Sequence, residues 1–226
     1  MFFHDYYSLI IMLPLFIISL IIQGKLNSTY SKYSKVGNFR YMTGAEAAQA
    51  ILNKAGIYDV SVEFVSGNLS DHYDPIKKVI RLSEGVFNGT SVAAVGIAAH
   101  ESGHAIQHAV GYTPLKIRSS VVSITNFSSK LLYFLMILSI FANIPMLCGI
   151  AVICFLVLFF FQLITLPVEF NASTRAIRNI EELGFSSSDM SGVKRVLSSA
   201  AMTYVAAMLI SLGQLVTFIL RNSRRD

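Results

Sequence analysis

Residues 131–166 form a run of 36 residues without a single charged side chain, and this run restricts the possible folds more than any other feature. As one helix it would be about 54 Å long, whereas the hydrocarbon core of a bilayer is about 30 Å thick. The run must therefore fold back on itself. Asn143-Ile144-Pro145 is the one good helix breaker inside it. The sequence thus predicts a transmembrane hairpin over residues 131–166.

The composition agrees with a membrane protein. Hydrophobic residues make up 54% of the chain and charged residues 14%, with a mean hydropathy of +0.58, which is too apolar for an ordinary soluble domain. Residues 6–23 predict an uncleaved span, because no Lys or Arg precedes the apolar stretch and no small-residue cleavage site follows it. Residues 202–220 predict a last span. Together with the hairpin, these segments give about four transmembrane helices in a mainly α-helical chain.

The net charge of +5 comes from basic residues that lie beside apolar runs. Basic residues in these positions typically set the orientation of a protein in the membrane, and they do not indicate nucleic-acid binding. Most of the basic residues fall in residues 24–130 and 167–200, which predicts that these segments face the cytoplasm of a multi-pass cell-membrane protein. The basic C-terminal RNSRRD disagrees, since four spans would place it outside.

Residues 40–112 are more polar and predict a small α+β unit between the first span and the hairpin. Its capping, alternation and turn patterns predict these elements in order: a helix capped by Thr43 and ended by Gly56, a strand over 59–65, a turn-rich segment over 67–75, a strand over 77–83, and a helix over 92–110 capped by Thr90 or Ser91. After the hairpin, residues 167–185 predict a separate, more polar helix.

The second helix of this unit carries a metal-binding pattern. Residues 98–108 read AAHESGHAIQH and contain H-E-x-x-H as His100, Glu101 and His104. Residues four apart share one face of a helix, so both imidazoles can bind one ion, and Glu101 beside them can take a proton from a water at that ion. Two nitrogens and one carboxylate, with a fourth position open, suit catalytic zinc.

Two residues are candidates for the third ligand. His108 lies about 80° around the helix from His100 and points partly away, and the metzincin spacing fails because Val110 occupies the position of its third histidine. Glu169 directly follows the hairpin, whose two spans return the chain to the side of His104. This topology favours Glu169, although a charge that simply ends a membrane span is the alternative.

The motifs TGAEAAQAIL, SDHYDP, KKVIRLS, AAHESGHAIQH, LPVEFNAS and AMTYVAA occur in this order. Over residues 43–207 the chain thereby resembles the YugP-type neutral zinc metallopeptidases, a bacterial membrane family, and it is distantly similar to HtpX-like membrane proteases. The resemblance implies a gluzincin-type site in which His100, His104 and Glu169 hold Zn²⁺ and Glu101 is the general base. It also implies that KVIRLS is the strand that lines the cleft.

One residue departs from the family pattern. The family reads E-F-D-A-S where this chain has Glu169-Phe170-Asn171-Ala172-Ser173. An Asp could accept a hydrogen bond from a ligating histidine, and Asn171 can also accept one but without a charge, so we expect a lower zinc affinity.

Other polar residues have alternative roles. His108 is expected to support a ligand or to pack, and Tyr204 either donates a hydrogen bond to an oxyanion or lies at the membrane interface. The run SDHYDP, with Asp71, His72 and Asp74, is expected to form a turn that braces the sheet.

The sequence therefore predicts one membrane-integrated metallopeptidase domain over residues 1–226, with a zincin-like catalytic unit that cleaves peptide or membrane-protein substrates at the lipid bilayer. The departure at Asn171 motivates an alternative, an inactive relative that binds partners or acts as a membrane scaffold. A metal transporter is a third hypothesis, and it would require His100 and His104 to lie within the bilayer. No oligomeric state is predicted.

Overall fold

A computed structural model describes residues 6–67, 70–141 and 145–222, which are mostly helical with one small sheet. The elements in chain order are α1 (Tyr6–Tyr33), α2 (Gly44–Lys54), β1 (Ser61–Val65), β2 (His72–Asp74), β3 (Val79–Ser83), α3 (Glu84–Phe87), α4 (Val92–Ala109), α5 (Thr113–Phe141), α6 (Pro145–Glu182) and α7 (Ser187–Asn222).

Three of the described helices are long and apolar enough to cross a membrane. The candidate spans are Ser8–Tyr33, Gly149–Glu182 and Ser187–Leu220. The first arm of the predicted hairpin falls in α5, which is not among them, so the fourth span stays a prediction. The predicted break at Asn143 and Ile144 lies outside the described residues. On either side of it α5 and α6 pack together through Leu132, Leu135, Ala151 and Cys154.

Helix α6 differs from the prediction, because residues 167–185 do not form a separate helix. The helix runs unbroken from Pro145 to Glu182 and includes Pro167. Proline removes one backbone hydrogen bond and normally ends or kinks a helix. Here Val168 and Ala172, just past the proline, are fully buried, and Ala172 lies against Gly103 of α4. Tertiary packing on α4 thus stabilises the second half of α6 beyond the proline.

The sheet has three strands in the order β1-β3-β2. The strands β1 and β3, both predicted, pair in parallel, and β2 pairs with β3 antiparallel. The sequence missed β2, because its three residues lie in a turn-rich segment and their extended conformation depends on pairing with β3. KVIRLS therefore supplies the central strand, and β2 is an edge of the sheet.

Helix α4 lies at the centre of the main hydrophobic core. The side chain of Ser91 accepts a hydrogen bond from the backbone N–H of Ala94 and caps the helix as predicted, and Gly111 follows its end with a positive φ of 66°. Most of the helix is small and buried, so neighbouring helices can approach its backbone closely. An added Cβ at Gly103 would come within 2.6 Å of the Ala172 carbonyl oxygen of α6. This contact brings the second half of α6 against the part of α4 that contains the H-E-x-x-H pattern.

Candidate metal centre

The predicted ligands His100, His104 and Glu169 come together between α4 and α6. The Nε2 atoms of His100 and His104 lie 3.2 and 3.6 Å from Oε2 of Glu169, and one possible ligand atom of each residue lies within 4.8 Å of the others. Zinc bonds of about 2.0–2.1 Å in a tetrahedron separate neighbouring ligand atoms by about 3.3 Å. Both separations from Oε2 of Glu169 are close to this value, and two imidazole nitrogens with one carboxylate are a donor set that suits zinc.

The carboxylate of Glu169 is almost completely buried, with 2% of its side chain exposed. Arg118 of α5 forms an ion pair with it, and Nη1 lies 3.1 Å from Oε1. The two oxygens thus have different partners, since Oε1 faces Arg118 and Oε2 faces the histidines. The sequence does not predict this role of Arg118, because no local pattern links a basic residue early in α5 to a carboxylate late in α6.

Gln107 fixes the ring of His104. The Nδ1–H group of His104 donates a hydrogen bond to Oε1 of Gln107 at 3.0 Å, which leaves Nε2 free to bind a metal. The amide Nε2 of Gln107 in turn donates to the Val168 carbonyl at 2.8 Å and to Oδ1 of Asn171 at 3.0 Å. Asn171 therefore supports His104 indirectly, through Gln107. We had expected a direct hydrogen bond from a ligating histidine to Asn171.

His100 has a similar support from α6. Its Nδ1 lies 3.2 Å from Oγ of Ser173, one turn after Glu169. Sequence spacing could have found both supports, because Gln107 lies three residues after His104 and Ser173 lies four residues after Glu169. Each histidine thus presents Nε2 to the shared carboxylate and Nδ1 to a polar side chain.

The electrostatics of the site favour positive charge. Burial by itself lowers the pKa of His104, but the hydrogen bond to Glu169 and the charges of Glu101 and Glu169 outweigh it and raise the pKa above its ordinary value. The same negative field that stabilises a proton on this imidazole would stabilise a divalent cation beside it.

Glu101 lies beside the three predicted ligands and is largely buried. Together with His100 and Glu169 it lines a cavity of about 250 Å³ that also contacts Tyr204 of α7. The predicted catalytic carboxylate, two of the predicted ligands and the predicted oxyanion donor thus border the same cavity. Asp71, immediately before β2, also lines this cavity, whereas β3 contributes none of the lining residues in the described part of the chain.

His108 lies away from the three ligands. Its Nδ1 is 2.7 Å from the hydroxyl of Tyr73 on β2. Burial and the nearby carboxylates of Asp59 and Asp74 raise the pKa of Tyr73 to about 12, so the phenol keeps its proton at neutral pH and shares a hydrogen bond with the imidazole. His108 therefore joins α4 to the sheet edge.

The aspartates of SDHYDP hold the sheet together, in agreement with the expected turn. The carboxylate of Asp71 accepts hydrogen bonds from the backbone N–H and the hydroxyl of Ser83 at 2.7 and 3.0 Å. Asp74 accepts from the backbone N–H groups of Ile76 and Lys77 at 2.9 and 3.0 Å. These contacts fix the loop on either side of β2 and place Asp71 at the cavity.

Comparison with known proteins gives two strong similarities. A family model described as "Putative neutral zinc metallopeptidase" matches residues 8–223. The "Putative membrane protease YugP" of Bacillus subtilis (strain 168) is 47% identical over 199 residues, which cover 88% of each chain. No solved structure matches significantly.

Proposed function

The chain belongs to the neutral zinc metallopeptidase family, and from this premise we propose that it is a membrane-bound endopeptidase of gluzincin type. In this proposal His100, His104 and Glu169 hold Zn²⁺. One observation carries the proposal: the two histidine Nε2 atoms and a buried carboxylate oxygen converge at separations suited to tetrahedral zinc. The family resemblance predicted from the sequence motifs is confirmed by the match to the family model.

The chemistry is hydrolysis of a peptide bond. Zinc, when bound, supplies a Lewis acid beside the scissile carbonyl. Glu101 takes a proton from the attacking water as the new C–O bond forms, and it delivers that proton to the amine nitrogen as the C–N bond breaks. In the same proposal Tyr204, which lines the cavity, donates its phenolic O–H to the developing oxyanion.

The helices support a location at the membrane surface. At 1.5 Å per residue the 38 residues of α6 extend about 57 Å, well beyond a hydrocarbon core of about 30 Å. Glu169 follows the apolar part of α6, so the ligands lie near the membrane boundary. The distribution of Lys and Arg favours the cytoplasmic side, and we propose that the protein cleaves peptide or membrane-protein substrates there.

Zinc content and proteolysis together test the proposal. We expect about one zinc per chain in detergent-purified wild type and a clear loss in Glu169→Ala, while Glu181→Ala, which changes an exposed glutamate of the same helix, keeps its zinc. Glu101→Gln should also keep its zinc but lose cleavage of an unfolded protein such as casein by a factor of about 10²–10⁴. Wild-type cleavage by zinc-loaded Glu101→Gln would refute the proposed mechanism.

The substitution at Asn171 motivates one alternative function, an inactive relative that binds partners or acts as a scaffold. Oδ1 of Asn171 accepts hydrogen bonds from both Gln107 and Arg175, so the support of His104 does not require a charged residue here. This favours the enzyme. Equal rescue of a deletion strain by wild type and by Glu101→Ala would favour the scaffold instead.

A further inference from the structure

The cavity beside the candidate metal centre has two unlike sides. One side carries the polar groups of His100, Glu101 and Glu169, and the other is apolar and formed mainly by α7, with one residue each from α1 and α4. The apolar side consists of Leu26, Ile97, Val196, Leu197, Ala200 and Ala201. Its volume of about 250 Å³ is below the range of about 300–1,000 Å³ that is typical of pockets for whole small molecules. The space therefore suits one side chain of a larger ligand.

Close helix packing on both sides of the cavity sets its shape. At one end, an added Cβ at Gly192 of α7 would lie 2.8 Å from the ring of Tyr33 of α1. At the other end, Gly213 of α7 lies directly against Leu15 of α1. Between these contacts, the hydroxyl of Ser199 donates a hydrogen bond to Oγ1 of Thr29 at 3.3 Å. The cavity thus lies between stretches of α1 and α7 that pack closely against each other.

The lining of the cavity selects against charged groups. Its described lining contains the carboxylates of Asp71, Glu101 and Glu169 but no lysine or arginine. An acidic side chain would lose its hydration in this partly apolar space and would find no lysine or arginine among the lining residues to pair with. A basic side chain would lose its hydration against the apolar wall, and the carboxylate of Asp71 is already hydrogen-bonded to Ser83. An uncharged apolar side chain is the best fit.

We propose that this cavity is the specificity pocket of the enzyme and that it binds one large apolar side chain, such as leucine, methionine or phenylalanine, of a polypeptide substrate. The inference rests on the proposed peptidase function. The pocket shares His100, Glu101 and Glu169 with the reaction centre, so the bound side chain belongs to a residue next to the scissile bond. The small side chains of Ala200 and Ala201 leave room for the bound side chain, because any larger residue at these positions would fill the cavity.

Two opposite substitutions test this role. Ala200→Leu narrows the pocket, whereas Leu26→Ala on the facing helix widens it. Met202→Leu is the matched control, since Met202 lies on α7 but is 44% exposed and does not line the cavity. Each full-length protein is loaded with zinc in detergent, and its cleavage sites in a mixture of peptides are mapped by mass spectrometry. A general structural defect would slow all cleavage and leave the preference unchanged.

We expect wild type to prefer large apolar residues over alanine and aspartate at one position flanking the cleaved bond. Ala200→Leu should shift the large-to-small preference by about tenfold or more toward small residues, and Leu26→Ala should shift it the other way. Wild-type cleavage without such a preference, or variants with the wild-type preference, would overturn the pocket while leaving the peptidase intact. Zinc-loaded wild type that cleaves no peptide would overturn the proposed function and this inference with it.

Discussion

Arg118 on α5 contacts one oxygen of Glu169 while the other oxygen of the same carboxylate faces two histidines. Nη1 of Arg118 lies 3.1 Å from Oε1, and Oε2 lies 3.2 Å from Nε2 of His100. A carboxylate held in this way presents a single oxygen toward the metal position. Arg118 therefore acts on the site through Glu169 and is a positioning residue.

We predict that Arg118→Ala lowers zinc affinity by about tenfold to a hundredfold, a typical effect of losing a group that orients a metal ligand. The reason is that Glu169 would lose the partner that fixes its orientation. Arg118 also compensates the negative charge of this buried carboxylate. Competition with a chromogenic chelator measures the affinity. Lys116→Ala removes an exposed basic residue from the same helix and serves as the control. Equal affinities of Arg118→Ala and wild type would show that the ion pair does not position the ligand.

The departure at Asn171 gives a second prediction. Asn171→Asp places a negative charge where Gln107 and Arg175 both donate hydrogen bonds. The charge strengthens both contacts and, through Gln107, the hold on His104. We expect zinc affinity to rise by up to about tenfold in the same chelator competition.

Asn179→Asp is the control for this gain, since it adds the same charge two turns further along α6. If both substitutions tightened zinc binding equally, a general change of charge would explain the effect. An unchanged affinity in Asn171→Asp would mean that the asparagine supports the site as well as the family's aspartate.

Sequence reasoning succeeded where the signal is local. The capping box of Thr43 and Glu46, the Ser91 cap and the positive-φ Gly111 are set by neighbours in the chain, and the predicted ends of α2 and α4 follow them closely. The histidine pair is also local, because a helix alone brings residues four apart to one face. The proximity of Glu169 to the histidines was predicted from topology, since the predicted hairpin returns the chain to the side of His104, and the structure brings the three side chains together.

The features that were missed depend on contacts between distant segments. The strand β2 exists through pairing with β3, and α6 continues through Pro167 because its second half packs on α4. Arg118 meets Glu169 only when α5 and α6 lie side by side. None of these contacts leaves a periodic pattern in the sequence.

The third prediction separates His108 from the metal ligands. His108→Ala should leave zinc content and affinity unchanged, because its imidazole binds the Tyr73 hydroxyl and lies outside the ligand group. The lost hydrogen bond should lower the free energy of unfolding by about 1 kcal/mol, and Tyr73→Phe should have a similar effect. Zinc analysis and thermal unfolding of the two variants measure these effects. Loss of zinc in His108→Ala would contradict this prediction and indicate that His108 is a metal ligand.

The last prediction concerns Gly103, inside the H-E-x-x-H pattern. An alanine Cβ there would lie 2.6 Å from the backbone carbonyl oxygen of Ala172, and a backbone atom cannot move aside as the end of a flexible side chain can. The helices α4 and α6 would have to separate, which costs about 1–3 kcal/mol of stability. Because α4 carries His100 and His104 while α6 carries Glu169, the same movement should weaken zinc binding. Thermal unfolding and chelator competition measure the two effects on one sample.

Gly149→Ala makes the same change in open space, since an added Cβ there meets nothing within 4 Å. This control should unfold and bind zinc like wild type. The important comparison is between the zinc affinities, because a stable Gly103→Ala protein with unchanged affinity would show that the ligand geometry does not depend on the close contact of α4 with α6. A parallel fall in stability and affinity would identify Gly103 as the residue that sets the distance between the histidine pair and the third ligand.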